Sequence, residues 1–383
     1  MSLDYPIQHR AFIMNLSPLW VCDPLDCGVP PHRHAMPIET ELYVEIVSSR
    51  NELVSVFGWG DPEHAYTNIT THAGGVVFCT FSSSNLAYWS ILSKTLKTKP
   101  LPIPIHDNLH ALNTNTTYVI FETNEGDTPR ILTSQFTSAW LSPNRGSIPI
   151  SWAVDPLLGE MFSELWNFFI ANTTKNDTFL AGVDGGGYIY LDSLGNHASA
   201  YESRAGNLLK QSRIDVVDVG VPQYGWPAVK IDKIQEYVNN AKIKGGAVPK
   251  MFCNGCASDW NMSINTWLPN NGSVVVSSVC TGPPGNDTSN GHYLYYYRDH
   301  LNQTAPEADL AWRIQWASKK FKKEGEALFL LVFGGLGLYG GHADVFQFLT
   351  GVMEDLDGGF VAVGAQEMAR LALEARPSVG ALV

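Results

Sequence analysis

Apolar residues recur along this chain in short, mainly apolar runs, at 11–14, 53–57, 75–81, 118–121, 178–183, 214–219, 273–276, 328–333 and 360–363. Runs of this length, rich in Val, Ile and Phe, predict strands covered on both faces, which have no solvent side on which to place polar residues. Between several of them lie segments with apolar residues at helical spacing: 157–170, 230–243, 309–328, 343–355 and 366–375. Strands that alternate with helices predict a mainly parallel sheet. Eight or nine such strands suit a closed or nearly closed barrel better than a short open sheet. The expected fold is therefore α/β, a TIM-barrel-like (β/α) barrel formed as one domain over 1–383, with long rim loops. The Asn-, Gly- and Pro-rich stretch 270–292 reads as a long exposed loop.

Composition narrows the partners. Hydrophobic residues are 45% of the chain and charged residues 16%, enough apolar material for a large core and too little charge for disorder. The net charge of -12 disfavours nucleic acid, whose phosphates are bound by Lys and Arg. The lysines of 319–323, followed by Glu324 and Glu326, read as a solvated helix face. The apolar run 327–341 is too short and too Gly-rich to span a membrane. No G-x-G-x-x-G opens a helix after a strand and no phosphate loop is present, so no nucleotide cofactor is expected.

Nine Asn-x-Ser/Thr sequons, at Asn15, Asn68, Asn115, Asn172, Asn176, Asn261, Asn271, Asn286 and Asn302, are about three times what chance gives and point to a glycosylated protein of the secretory pathway. Six cysteines fit that compartment, with Cys22–Cys27 and Cys253 or Cys256 with Cys280 as expected bridges. Cys253-Asn-Gly-Cys256 lacks the second pair a zinc ribbon requires. The polar stretch 1–10 has no signal-peptide core, so the secretory reading implies a leader absent from this chain.

In a parallel barrel, reactive groups follow the carboxyl ends of strands. Four strand ends are rich in them: Gly58-Trp59-Gly60-Asp61-Pro62-Glu63-His64, Glu122-Thr123-Asn124-Glu125-Gly126-Asp127, Ser151-Trp152 through Asp155-Pro156, and Asp184-Gly185-Gly186-Gly187-Tyr188-Ile189-Tyr190. Glycosidic cleavage needs two carboxylates and aromatic faces for the sugar, and these segments supply both. Glycines beside Asp184 would let backbone approach a ligand or adopt positive φ. His342, after Tyr339-Gly340-Gly341, sits at a further strand end. A rival chemistry is metal-dependent: His106 and His110, spaced i,i+4, could hold a metal with Asp127. Ser151 and Ser193 lack the G-x-S-x-G elbow of a serine hydrolase.

Gly185-Gly186-Gly187-Tyr188-Ile189-Tyr190 resembles the signature G-x-G-Y-x-Y-P of the GxGYxYP family of putative glycoside hydrolases, with Leu191 where the family has Pro. Arg145-Gly146 through Trp152 resembles its R-G-x-I-P-I-x-W segment, and Asn176-Asp177 through Gly182 its N-D-x-F-x-A-G approach. Weaker similarity covers Gly58–Glu63, Asn124–Thr128 and 358–371, so the resemblance spans about 10–375 with its specific core at 144–191. In the Asn124–Thr128 turn Asp127 is kept, while Glu125 and Thr128 replace Asp and Asn.

The resemblance implies a barrel and a carbohydrate ligand. The expected catalytic carboxylates are Asp127, Glu125, Asp184 and Glu63; the expected sugar-binding residues are Trp59, Trp152, Asp155, Tyr188, Tyr190 and His342. No cofactor is expected. The alternatives are a non-catalytic carbohydrate-binding protein on the same scaffold and a metal-dependent polysaccharide deacetylase.

Overall fold

A computed structural model describes residues 37–58, 60, 63–80, 83, 85–104, 110–123, 132–133, 135–182, 184–219, 229–257, 264–269, 272–279, 304–334 and 344–376. Helices α1 (Pro37–Ser48) and α2 (Glu63–His72) flank two parallel strands, β1 (Val54–Gly58) and β2 (Gly75–Cys79), in a small leading layer. After α3 (Leu86–Leu96) come β3 (Thr117–Thr123), α4 (Gln135–Trp140), β4 (Ile150–Val154), α5 (Leu157–Met161), α6 (Ser163–Ala171) and β5 (Asp177–Ala181). Then follow α7 (Ala198–Ser212), β6 (Val216–Val219), α8 (Ile231–Ala241), β7 (Met251–Ala257), β8 (Asn265–Trp267) and β9 (Val274–Val279). The described chain closes with α9 (Pro306–Phe321), β10 (Leu328–Gly334), α10 (Val345–Glu354), β11 (Phe360–Ala362) and α11 (Ala365–Glu374).

The strands run in the order β10-β3-β4-β5-β6-β7-β9-β8, parallel throughout except where β8 meets β9. This is the expected mainly parallel barrel, nearly closed. At the seam the side-chain amide of Asn265 substitutes for a ladder. Oriented as its neighbours require, its nitrogen donates to the carbonyls of Ile264 (3.1 Å) and Phe329 (3.0 Å), and its oxygen accepts from the Phe329 N–H (3.3 Å). β4 contradicts one expectation: the strand starts at Ile150 and runs to Val154, so Ser151 and Trp152 lie inside it and the following loop begins at Asp155. α9 also stops short of 328, because Lys322 is extended and Gly325 turns at φ 74°.

Alternate strand residues form two cores. One set, including Val119, Phe121, Trp152, Phe179, Val217 and Leu330, packs outward against the helices. The other, including Tyr118, Ile120, Leu180, Val216, Met251, Val274 and Phe329, fills the lumen together with Met368, Ala369, Leu371 and Ala372 of α11. Period-two alternation makes this division automatic. α11 lies across the amino-terminal end of the barrel: the Val363 N–H donates to Val119 O (2.9 Å), Ala365 N–H to Thr178 Oγ1 (3.0 Å) and Trp267 Nε1–H to Ala372 O (2.7 Å).

The two upstream motif segments meet at Asp177, the first residue of β5. Its Oδ2 accepts from Arg145 Nη1 (2.6 Å) and from the Thr174 N–H (2.7 Å), while Oδ1 accepts from Trp152 Nε1 (2.9 Å). The Arg145 guanidinium lies 4.1 Å from the centroid of the Trp140 ring, and Trp140 packs on Trp152 (5.1 Å between centroids). A buried carboxylate is stable only when paired and hydrogen-bonded, and here both oxygens are used. Asp177→Ala strips Arg145 and Trp152 of their partner at once. Chemical denaturation should register a loss of about 3–5 kcal/mol; a loss under about 1 kcal/mol would show that the node does not hold β4 to β5.

Candidate active site

Above the apolar floor, the same inward alternation that gives Tyr118 and Ile120 places Glu122 next on β3, and that which gives Val216 places Asp218 next on β6. Cys253 on β7 stands in register with Asp218. Glu122 and Cys253 are fully buried and Asp218 is 8% exposed. Glu122 hydrogen-bonds Asp218 and also the Cys253 thiol. β3 and β6 are separated by two strands, so the carboxyl–carboxyl contact crosses the lumen. Burial raises the Asp218 carboxyl well above the ordinary aspartate value, with the Glu122 hydrogen bond pulling the other way. Burial likewise raises the Cys253 thiol, and the charges of Glu122 and Asp218 add to it. Two carboxyl groups in direct contact hold one proton between them, because two like charges at that range are not both sustained. Just beyond Cys253 the β7–β9 register shifts at Asn254/Cys256, a bulge of the kind that re-aims side chains beside sites.

A second buried polar cluster lies against α7 and α8. Asp155, immediately after β4, accepts from the Leu157 N–H (2.9 Å) and so starts α5. Burial pushes its carboxyl up to about 7, opposed by that hydrogen bond and by Arg204. Asp184 is fully buried and adopts φ 60°; its charge and that of Asp155 bear on Tyr201, and its charge on Tyr237.

The signature that follows Asp184 is a strut. Gly185 and Gly187 have φ 91° and 102°, a region closed to most side chains. A Cβ on Gly187 would stand 2.4 Å from Val76 Cγ1. Tyr188 exchanges two backbone hydrogen bonds with Val77 of β2 (2.9 and 3.0 Å), and the Tyr190 N–H donates to Thr71 Oγ1 (3.1 Å). The glycines admit protein, where a ligand was expected, and the signature binds the leading layer to the barrel.

The expected site residues scatter accordingly. Trp152 is a core residue, packed on Phe136 at 4.7 Å and on Trp140, with no face for a sugar. Tyr188 and Tyr190 are buried against Tyr43, Val47 and Tyr66 and serve the leading layer. Asp155 and Asp184 are buried at strand ends, as above; Glu63 opens α2. Trp59, Glu125, Asp127 and His342 lie outside the described residues, as do His106 and Cys280. His110 is not helical; its Nδ1 is 2.9 Å from Glu367 Oε1 on α11, at the end of the barrel opposite the carboxylate pair. Cys253 forms no disulfide, so its expected bridge to Cys280 is not formed. The pair Glu122–Asp218 is not among the expected catalytic residues, because both carboxylates lie inside strands and not in the loops after them. Its signal was a carboxylate inside an apolar strand, at the parity of the lumen. Among the described residues no cluster of three or more His, Cys, Asp or Glu is placed to hold a metal, and no helix is long and apolar enough to cross a membrane.

Residues 115–270 match the family model described as the GxGYxYP putative glycoside hydrolase C-terminal domain. The crystal structure of a putative hydrolase from Bacteroides thetaiotaomicron VPI-5482 is similar in fold, with a TM-score of 0.67 at 16% identity over 90% of this chain and 62% of that one. The chain thus spans less than two thirds of that structure's length. A structure of a putative polysaccharide deacetylase from Mycobacterium smegmatis covers 74% of this chain and 99% of its own at 11% identity, with a TM-score of 0.38. No curated protein matches the chain in sequence.

Buried carboxyls with raised values make stability fall as pH rises. Asp155 at about 7, Glu202 at about 7 through its own burial, and Asp218 all shift upward. The stability each supplies is complete below the ordinary carboxylate range and is lost as pH climbs to about 7. Asp155→Asn keeps an oxygen for the Leu157 N–H and removes the titration. Between pH 4 and 7 it should gain on the native protein by on the order of 1 kcal/mol per pH unit, levelling off above that window. Calorimetric curves that stay parallel across it would refute the assignment.

Proposed function

From a chain whose residues 115–270 match the GxGYxYP family model, we propose a carbohydrate-directed hydrolase in which Asp218, backed by Glu122, is the general acid. One observation carries this reading: two carboxyl groups hydrogen-bonded across the lumen, at the end of a parallel barrel where such folds place their chemistry. Asp218 is the more accessible partner, 8% exposed against none for Glu122, and is the outlet through which the one proton of the pair is delivered. Transfer of that proton to the glycosidic oxygen leaves both carboxyls ionised beside the Cys253 thiol, a charge relieved when the pair takes up a proton from solvent. Direct contact is too close for this pair to flank a scissile bond as acid and nucleophile, which stand roughly 5–9.5 Å apart. The pair therefore supplies one role, and the second carboxylate comes from Glu125 or Asp127, three and five positions beyond Glu122. That group activates water, or attacks the anomeric carbon, and Trp59 and His342 remain the sugar-binding residues of this reading.

The same reading includes secretion and N-glycosylation. Asn68, Asn115 and Asn172 each head a sequon and are exposed, whereas the Asn176 amide is partly buried and donates to Gly146 O (2.7 Å). Protein secreted from a eukaryotic host should lose mass on treatment with peptide N-glycosidase, with the mapped glycans at the exposed three and none at Asn176. Unmodified asparagine at all three sites would remove this part.

Activity is tested by incubating the protein with a panel of polysaccharides and scoring new reducing ends. Asp218→Asn should lower the rate on the cleaved substrate at least about 100-fold, the scale of general acid catalysis, while binding to the same polysaccharide persists. Binding without cleavage by the native protein would make it a carbohydrate-binding protein. Cleavage undiminished in Asp218→Asn would sink the acid assignment.

A further inference from the structure

Asp218 lies at the end of a short chain of hydrogen bonds that begins outside the barrel. The Tyr237 hydroxyl, on α8, donates to the carbonyl of Asp184 at 2.8 Å. The Asp184 N–H in turn donates to the carbonyl of Asp218 at 2.7 Å. Between them the strand ladder has thinned to one pair, Ala181 with Val217, so this amide is what ties the β5 turn to the end of β6. Asp184 makes the bond from φ 60°, a conformation costly for a residue with a Cβ and kept only where surroundings impose it. The Tyr237 ring is fully buried and set edge-on to Phe252 at 5.5 Å. A Cβ at position 185 would stand 2.4 Å from the Tyr237 hydroxyl. The first glycine of the signature is thus the gap through which that hydroxyl reaches Asp184.

We propose that Tyr237 is a positioning residue for Asp218: it fixes the Asp184 peptide, the peptide fixes the Asp218 backbone, and the backbone aims the carboxyl across the lumen at Glu122. The inference rests on the reading of Asp218 as the acid. It divides the signature in two. Gly185 serves the carboxylate pair, while Gly187, whose carbonyl accepts from the Tyr201 hydroxyl at 2.8 Å, serves the join to β2. The groups that bear on Asp218 are Glu122 on β3 and Cys253 on β7; Asp184 and Asp155 bear on Tyr201, and Asp184 and Glu202 on Tyr237.

Infrared titration of the unliganded protein provides the test. The Asp218 carboxyl band is identified by its loss in Asp218→Asn, and the Cys253 S–H band by its loss in Cys253→Ser. Tyr237→Phe keeps the ring and deletes the hydroxyl. It should move the Asp218 midpoint upward by about half a pH unit or more, because the aligned Glu122 contact is what holds that value down, and it should displace the S–H band. Tyr201→Phe deletes an equivalent hydroxyl bond and should leave both where they are in the native protein. Native bands in Tyr237→Phe, or equal shifts in the two variants, would overturn the positioning role while leaving the acid assignment standing. A native protein with no titrating band removed by Asp218→Asn would instead defeat the acid assignment. Hydrogen exchange measures the same clamp without a substitution: the Asp184 amide should exchange as slowly as amides of the barrel strands, and fast exchange contradicts the proposal.

Discussion

Closing a parallel sheet around an axis creates an interior that must be filled, and most of this architecture follows from that demand. Every second residue of each barrel strand points inward, so the lumen is packed by the strands themselves and sealed at the amino-terminal end by α11. A dry column results, and whatever polar group stands on top of it is desolvated on its lower side. Glu122 and Asp218 occupy that position. In water two carboxylates would keep their own hydration and ionise separately; over an apolar floor they lean on each other and on Cys253. The reactivity proposed for the pair is thus inherited from the packing below it.

The family signature gains a physical meaning from the same geometry. Its glycines are required because three bodies converge there: the barrel turn, the hydroxyl of Tyr237 and the strand β2. Positive φ and the absence of a Cβ are needed together, which only glycine provides. Likewise Arg145, Trp152 and Asp177, which belong to separate motif segments, are one buried node in space. Motif residues in this chain are in large part the residues that hold the barrel in register.

Much of the fold was legible in the sequence because buried parallel strands advertise themselves as continuous apolar runs, as at 118–121 and 328–333. β7 was hidden by its cysteines and glycine, which read as a chemical motif, and β4 was placed too early, with Ser151 and Trp152 read as lying beyond its end. The site was less legible for a related reason. Asp184, Tyr188 and Trp152 carry the right chemistry for a sugar site, but which way a side chain points depends on strand parity and on what packs against it, and here helices and β2 claim all three. Asp218 could have been found by counting inward from Val216.

The placement of α11 also bears on how the molecule is made. Phe360 pairs with Thr117, and the helix that follows completes the interior of strands built far earlier in the chain. At ordinary translation rates the ribosome needs roughly 10–50 s to travel from β3 to α11. Throughout that interval the inward faces of β3 to β10 have no final cover, and their association is of the long-range kind that forms slowly. Nascent chains therefore pass through a prolonged stage with apolar strand faces open to the cell. The dependence of this barrel on α11 is, in biogenesis, a dependence on protection until that helix has been made.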